Sequence, residues 1–496
     1  MKFTDLKIRI TNVHYKRIFI LAFTVLITQC LWILLSDSRY RVGFPLDDAW
    51  IHQTYARNFV ENFRWEYNSN QISGGSTSPL WTILLMPGYL FKGNFYLIWT
   101  YFLGFLLTVS CAYIFEEILC RLTNKTNSFP FYGLLFILEW HILWGANSGM
   151  ETILFIFVIL LTTHLIINDK IYSFIFAILM GILIWVRPDG ITLIVLPFFA
   201  FIQDLCVNRT INKKIFVPVI VFGLSVVVYF GFNKLVSGSF FPNTFYAKQT
   251  EYSILYQQPI LTRILNILIV PITGVGSILL PGFLYQIVRI IKERNFILFG
   301  ILLWFFGYIL LFAIRLPVTY QHGRYFIPII PVYLVIAVFG FNSIVKRMIN
   351  RPAMIIMKSW KISIVIILFI FWGLGANAFS EDVSIIESEM VDTAIWINEN
   401  TSYDSKISAH DIGALGFFTN REIVDLAGLI SPDVIPFIND ESALKTYLDN
   451  QDVDYLMIFP NWYVNLVDGK QLIYQGEKPF TILAGGEHMA VFKWKE

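Results

Sequence analysis

"PLWTILLMPGYLF", residues Pro79–Phe91, decides how the rest of the chain is threaded. It is apolar enough to enter a bilayer, but at about thirteen residues with Pro87-Gly88 inside it falls short of the roughly 20 residues a spanning helix needs. It reads as an interfacial helix. Counting it as a crossing would invert every basic loop that follows. Leaving it on one face places crossings near 18–36, 95–118, 129–146, 152–167, 171–186, 191–205, 215–232, 264–287, 296–314, 325–345 and 362–379, about eleven in all. From a cytoplasmic N-terminus, Lys2 to Arg17, Arg121 with Lys125, Lys170, Arg209 with Lys213 and Lys214, Arg289 with Lys292 and Arg294, and Lys346 to Lys361 then share the inner side. That is the positive-inside pattern.

Composition agrees. The 496 residues are 56% hydrophobic and only 15% charged, and so many apolar runs joined by short basic loops leave no polar surface for a soluble fold. A polytopic α-helical membrane protein is expected. Net charge is +2, which gives no basis for a nucleic-acid partner. Cys30, Cys111, Cys120 and Cys206 all lie in or beside apolar runs, so no disulfide framework is expected. No small-residue cleavage site follows the first run, which reads as a retained helix.

From Ser380 the composition becomes that of a soluble protein, dividing the chain into a transmembrane domain, 1–379, with a first outer loop at 37–94, and an outer domain, 380–496. Strands are expected in "SKISAHDIGALGFF" (405–418), "REIVDLAGL" (421–429), "VDYLMIF" (453–459) and "HMAVFKW" (488–494), with helices over Glu387–Asn400 and "DESALKTYLDN" (440–450). This is a small α/β domain.

Ionisable residues gather at the outer ends of the crossings. They are Asp47, Asp48, His52 and Arg57 in "LDDAWIHQTYAR"; Glu151 in "NSGMET"; Arg187 and Asp189 in "VRPDG"; Lys248 in "PNTFYAK"; and His322 and Arg324 in "YQHGRYFIP". Each alone could cap a helix or reach for water, but charges near hydrocarbon are costly, and so many at one depth imply a site. An aspartate at 47 or 48 could be a general base or a first-turn cap, and adjacent helical residues diverge by about 100°, so only one faces a shared cavity. The loop Gly74–Ser78 enters a helix whose free N–H groups could meet an anion, without P-loop spacing. Arg187, Lys248, His322 and Arg324 could hold a phosphate or meet lipid headgroups. The histidines lack zinc-site spacing, and a divalent cation held by Asp47 or Asp48 with Glu151 stays open.

Together "LDDAWIHQTYARNF…GGSTSPLWTILL", "GMET", "VRPDG", "FPNTFYAK", "HGRYFIPIIP" and "DIGALGFFTNREIVDLAGLISP" resemble, in order along nearly the whole chain, the GT-C class of polyprenyl-phosphate-sugar-dependent glycosyltransferases. The terminal arabinofuranosyltransferases of actinobacterial cell walls are the most similar. The resemblance implies transfer of a sugar from an isoprenoid phosphate to an acceptor hydroxyl outside the cytoplasm, with inversion. It makes Asp47, or else Asp48, the base, and Arg187, Lys248, His322 and Arg324 the donor-phosphate ligands. His52, Arg57, Glu151, Asp189, His410 and Asp411 become sugar or acceptor ligands, the last two from a tail that helps hold the acceptor. The partners implied are the lipid-linked donor, a glycan, glycolipid or protein acceptor, and membrane lipids. The chain is shorter than the actinobacterial enzymes and richer in Ile, Phe and Asn, so the sugar itself is not carried over. A flippase for a lipid-linked sugar is the competing class; it would place charges at mid-membrane and pair its halves as repeats.

Overall fold

The computed structural model describes residues 3–125, 128–209, 213–348 and 351–495. Lys2 of the basic N-terminus lies outside the described residues. Among them, eight helices are long and apolar enough to cross a membrane, and Thr152–Ile167, Phe174–Val186 and Ile260–Ile272 are shorter apolar helices. Each expected crossing is occupied by helix, two of them in two pieces. Large apolar side chains such as Phe19, Leu34, Ile98, Val227, Ile355 and Phe369 point outward, the pattern of a lipid-facing surface, while Phe115, Phe136, Ile159, Leu183 and Phe305 fill the interior.

The two broken crossings have separate causes. Glu139 interrupts 129–146 with an extended backbone, and its carboxylate accepts the Ile142 N–H at 3.0 Å, starting a new helix, Trp140–Asn147. In 264–287 the break is at Gly274, whose φ of +69° suits only glycine. The preceding helix, Ile260–Ile272, stays level with the charged ends of its neighbours. Arg263 donates to the Ala313 carbonyl at 2.7 Å, and Val270 packs against Gly323. Of the crossing expected at 264–287, Val275–Glu293 alone is long and apolar enough to cross a membrane.

Residues Pro79–Leu85 form a short helix, continued by one 3-10 turn over Met86–Tyr89. Ser78 caps it by accepting the Trp81 N–H, and Trp81 donates to the Gly149 carbonyl at 2.8 Å. It packs beside the helix Asp47–Asn62, which carries the aspartates.

At the other sequence extreme, the helix Arg351–Ile386 runs through a π turn, Glu387–Val391, into Asp392–Asn400. The change in composition at Ser380 thus falls within a continuous helix and marks no break in its backbone. Arg41 fastens the first loop to this helix through Glu387 at 2.6 Å and Asp392 at 2.9 Å.

The C-terminal unit is a five-stranded sheet of β1 (Lys406–Ala409), β2 (Glu422–Asp425), β3 (Tyr455–Ile458), β4 (Gln471–Gln475) and β5 (Ala490–Lys493). The order is β2-β1-β3-β5-β4, with β1, β2 and β3 parallel and β5 antiparallel to both β3 and β4. One expectation is corrected, and one strand was not foreseen. The second half of "SKISAHDIGALGFF" is a helix, Gly413–Thr419, buried on nearly every side, so its apolar run carries no strand periodicity. The edge strand β4, "QLIYQ", is too polar and half-exposed to announce itself. The chain is a polytopic α-helical membrane protein with a small C-terminal α/β domain.

Candidate functional site

The helix Asp47–Asn62 has two working faces. On one, Asp47 accepts the N–H groups of Gly413 at 2.6 Å and Ala414 at 2.8 Å, in the first turn of Gly413–Thr419. Ten residues on, Arg57 donates to the carbonyls of Phe417 at 2.5 Å and Gly416 at 3.3 Å. A carboxyl group thus meets the unpaired donors of that short helix and a cation its unpaired acceptors. Trp50 packs between them on Phe417 and Phe418. The approach is so close that a Cβ on Gly413 would lie 2.0 Å from the Asp47 carbonyl oxygen.

The other face carries Asp48 and His52, four residues apart and so in line. Both line a cavity of about 290 Å³ together with Glu151, Arg187, Asp189, Lys248, Arg315, Arg324 and Tyr325, against an apolar wall of Phe241, Phe245, Leu311, Phe312 and Leu316. Asp48 accepts from Lys248 at 3.0 Å and pairs with Arg324 at 2.6 Å, and both cations reach the Tyr325 hydroxyl at 3.0 Å. A second group forms opposite. Arg187 pairs with Glu151 at 3.2 Å and Asp189 at 3.0 Å, and Tyr308 donates to Asp189 at 2.5 Å. Arg315 lies over the Phe245 ring at 3.6 Å and donates to Gln249. Four permanent cations face three carboxylates, so the lining favours an added anion.

One polar atom is left over. Glu151 Oε2 is buried without a hydrogen-bond partner, 3.7 Å from His52 Nε2. The His52 Nδ1 is engaged by Thr82 at 3.0 Å and Ser76 at 3.3 Å. A buried unpaired carboxylate oxygen calls for a donor, such as a ligand hydroxyl.

The two aspartates differ in charge state as they do in contacts. Burial works against ionisation of Asp48, but Lys248 and Arg324 beside it prevail and hold its carboxyl well below the usual range. For Asp47, burial and the neighbouring Asp411 carboxylate push the pKa up to about 8 against the pull of the two backbone N–H groups. Burial also lowers the His52 pKa, leaving a neutral imidazole at pH 7.

Several sequence expectations meet here and others part. Asp48, His52, Glu151, Arg187, Asp189, Lys248 and Arg324 share the cavity. Asp47 and Arg57 do not; they hold the C-terminal domain. His322 also leaves the set. Gln321 and His322 both have left-handed backbones, φ 51° and 58°, which turn the imidazole away from Arg324 to lie between Trp140 and Trp144 and meet Asp382 at 2.8 Å. His410, just past β1, sits outside the cavity, with Nδ1 on the Tyr463 hydroxyl at 2.7 Å and Nε2 3.7 Å from Glu251. Asp411 follows it, outside the cavity lining. The loop Gly74–Ser78 spends the Gly75 N–H on Tyr55, and its Gly74 and Gly75 carbonyls accept from Asn243 and Thr244, so it staples two helices while Gly75 and Thr77 line the cavity. With Asp48 held by two cations and Asp47 by backbone, the pairing of either with Glu151 around a divalent cation is not formed. Among the described residues no group of three or more His, Cys, Asp or Glu is arranged to hold a metal.

Sequence reasoning missed Arg315 and Tyr325. An arginine closing an otherwise apolar helix, "LLFAIR", is the signal that could have found the first.

The fold has counterparts among solved structures. The chain superimposes on ArnT from Cupriavidus metallidurans with a TM-score of 0.58 at 13% identity, covering 96% of this chain and 98% of that one. The same protein bound to undecaprenyl phosphate matches with a TM-score of 0.58 at 12% identity, covering 95% and 97%. The oligosaccharyltransferase AglB from Archaeoglobus fulgidus, in complex with an inhibitory peptide and a dolichol-phosphate, matches with a TM-score of 0.59 at 13% identity over 88% of this chain and 69% of that one. At such identities the likeness shows the fold, which is the GT-C fold. Residues 382–492 match a domain of unknown function, DUF8728. No curated protein sequence matches the chain.

Proposed function

We propose that this protein is a GT-C glycosyltransferase that moves a sugar from a polyprenyl phosphate to a hydroxyl of a cell-envelope glycan on the extracytoplasmic face. The observation that carries the reading is Asp48 clasped by Lys248 and Arg324 in an apolar-walled cavity with surplus positive charge. The solved complexes of this fold with undecaprenyl phosphate and dolichol-phosphate support a lipid phosphate as the ligand. The face is assigned from charge. Arg17 and Lys346, with their partners Glu117 and the Thr123 carbonyl, belong to the basic loops that the positive-inside pattern puts in the cytoplasm, and Asp48 belongs to the opposite set.

Asp48, not Asp47, is the proposed base. Its charge is balanced by Lys248 and Arg324. A donor phosphate competes for both cations and for Arg187, releasing Asp48 and raising its pKa toward the range where it can take a proton. The acceptor oxygen then bonds to the anomeric carbon from the face opposite the phosphate as the carbon–oxygen bond to phosphate breaks. The acceptor proton goes to Asp48, and the bonding pair leaves with the polyprenyl phosphate. A phosphate is already a good leaving group, so cations that stabilise it replace a second, acidic carboxyl. Glu151 Oε2 is placed to accept a sugar hydroxyl. A pentofuranose is the donor sugar that the sequence resemblance suggests.

The test is transfer by purified protein in lipid nanodiscs from synthetic polyprenyl-phosphate pentoses and hexoses to glycan, glycolipid and peptide acceptors. A new glycosidic bond detected by mass spectrometry supports the reading. Movement of the intact donor across the bilayer without that bond would replace it with a flippase.

A further inference from the structure

The cations of the basic loops are answered unequally. Arg17 pairs with Glu117 at 2.6 Å, and Arg289 pairs with Glu293 at 2.6 Å. Two segments offer no such partner. Residues 121–131 contain Arg121 and Lys125, residues 342–361 contain Lys346, Arg347, Arg351, Lys358 and Lys361, and neither segment has an acidic residue. The fold brings the two together at the end of helix Ile330–Val345 that lies away from Arg324. Lys125 donates to Asn342 Oδ1 at 3.2 Å and Lys346 to the Thr123 carbonyl at 3.4 Å, so each lysine reaches across to the other's segment. Trp360 meets Phe341 edge-on, with ring centroids 4.5 Å apart, and donates to the Ile278 carbonyl at 2.8 Å. That contact brings Lys361 to the same place. Among the described residues no carboxylate pairs with these three lysines, and the oxygens that tether Lys125 and Lys346 are neutral. Burial and the charges of Lys346 and Lys361 push the Lys125 pKa below its usual value, as expected of cations crowded without a counter-charge. The positive-inside pattern accounts for basic loops but not for their convergence on one point. Beside the lysines the surface is apolar. Phe131 is 63% and Ile362 59% exposed, on helices Phe131–Leu138 and Arg351–Ile386, which pack against each other.

We infer that Lys125, Lys346 and Lys361 bind the headgroup of an anionic phospholipid, one with two phosphates in preference to one, whose acyl chains run along Phe131 and Ile362. An ammonium is a compact point charge that takes its own oxygen, so three from separate segments suit a headgroup with more than one phosphate. A soluble polyphosphate would meet the same lysines but leave the adjoining apolar surface uncovered. The site is independent of the transferase reading, and the orientation assigned above puts it in the cytoplasmic leaflet.

The test is native mass spectrometry of the full chain released from phosphatidylcholine nanodiscs that contain equal small fractions of cardiolipin and phosphatidylglycerol, with inorganic pyrophosphate as a soluble competitor. One cardiolipin retained in preference to phosphatidylglycerol is expected. Apparent affinity should fall about fivefold in each of Lys125→Gln, Lys346→Gln and Lys361→Gln, and by tenfold or more in the triple variant. Arginine at the same three positions should keep it, and Lys170→Gln, in another basic loop, should leave it unchanged. The single variants carry the test if the triple glutamine variant loses its helical circular dichroism. Equal retention by wild type and the glutamine variants, an equal loss in Lys170→Gln, no preference over phosphatidylglycerol, or displacement of cardiolipin by pyrophosphate overturns the inference.

Discussion

The two faces of one helix, Asp47–Asn62, use the same residue type for opposite ends. On the face toward the C-terminal domain, Asp47 and Arg57 are spent on backbone groups of a seven-residue helix and stay fixed. On the face toward the cavity, Asp48 is paired with cations on two other elements, for which an anion in the cavity can compete. A carboxylate that caps a helix contributes to stability; one that shares its cations with a binding site is available for chemistry. Adjacent residues reach these two environments because a helix turns about 100° per residue.

The largest expected effect breaks the cavity face. Asp48→Asn should lower sugar transfer by about 10²–10⁴-fold, the usual range for losing a general base, and should also lower the melting temperature, because Lys248 and Arg324 lose their carboxylate partner. Asp47→Asn should instead leave transfer nearly unchanged and cost about 1 kcal/mol of stability by leaving one buried N–H poorly paired, read as a lower melting temperature and faster proteolysis near Gly413. Next come the cations. Arg324→Ala and Lys248→Ala should each weaken undecaprenyl phosphate binding by roughly tenfold or more, measured by titration, and His322→Ala should leave it unchanged. On the domain face, Arg57→Ala is expected to cost about 1 kcal/mol in thermal unfolding without altering lipid-phosphate affinity.

The smallest effect is one of pH. Against the cost of burial, Tyr463, Glu251 and Asp411 hold the His410 imidazolium and raise its pKa well above 6.5. A group whose pKa is raised on folding contributes fully below its unfolded value and loses that contribution as pH rises through the folded one. Protection of the C-terminal domain from protease should therefore decline as pH rises above neutral, and His410→Gln should flatten that decline.

Much of this division was legible in the sequence. Apolar run lengths and basic loops located the crossings, because a bilayer imposes both. Reading Pro79–Phe91 as too short to cross kept Asp48, Glu151, Arg187, Lys248 and Arg324 on one face, and they meet in one cavity. What sequence could not show was direction within a turn. Nothing in "LDD" says which aspartate meets the domain, since that depends on Gly413 lying against the Asp47 carbonyl. Nor does "YQHGR" disclose that two left-handed residues turn His322 toward Trp140 and Asp382 while Arg324 enters the cavity. Gly274 likewise split a crossing by backbone conformation alone.

A structure of the protein with undecaprenyl phosphate bound tests the central claim most directly. The account predicts phosphate oxygens within hydrogen-bonding distance of Lys248 and Arg324, Asp48 released from both, and Asp47 still on the N–H groups of Gly413 and Ala414. Phosphate bound elsewhere with the Lys248–Asp48–Arg324 pairs intact, or Asp47 freed in place of Asp48, would contradict it.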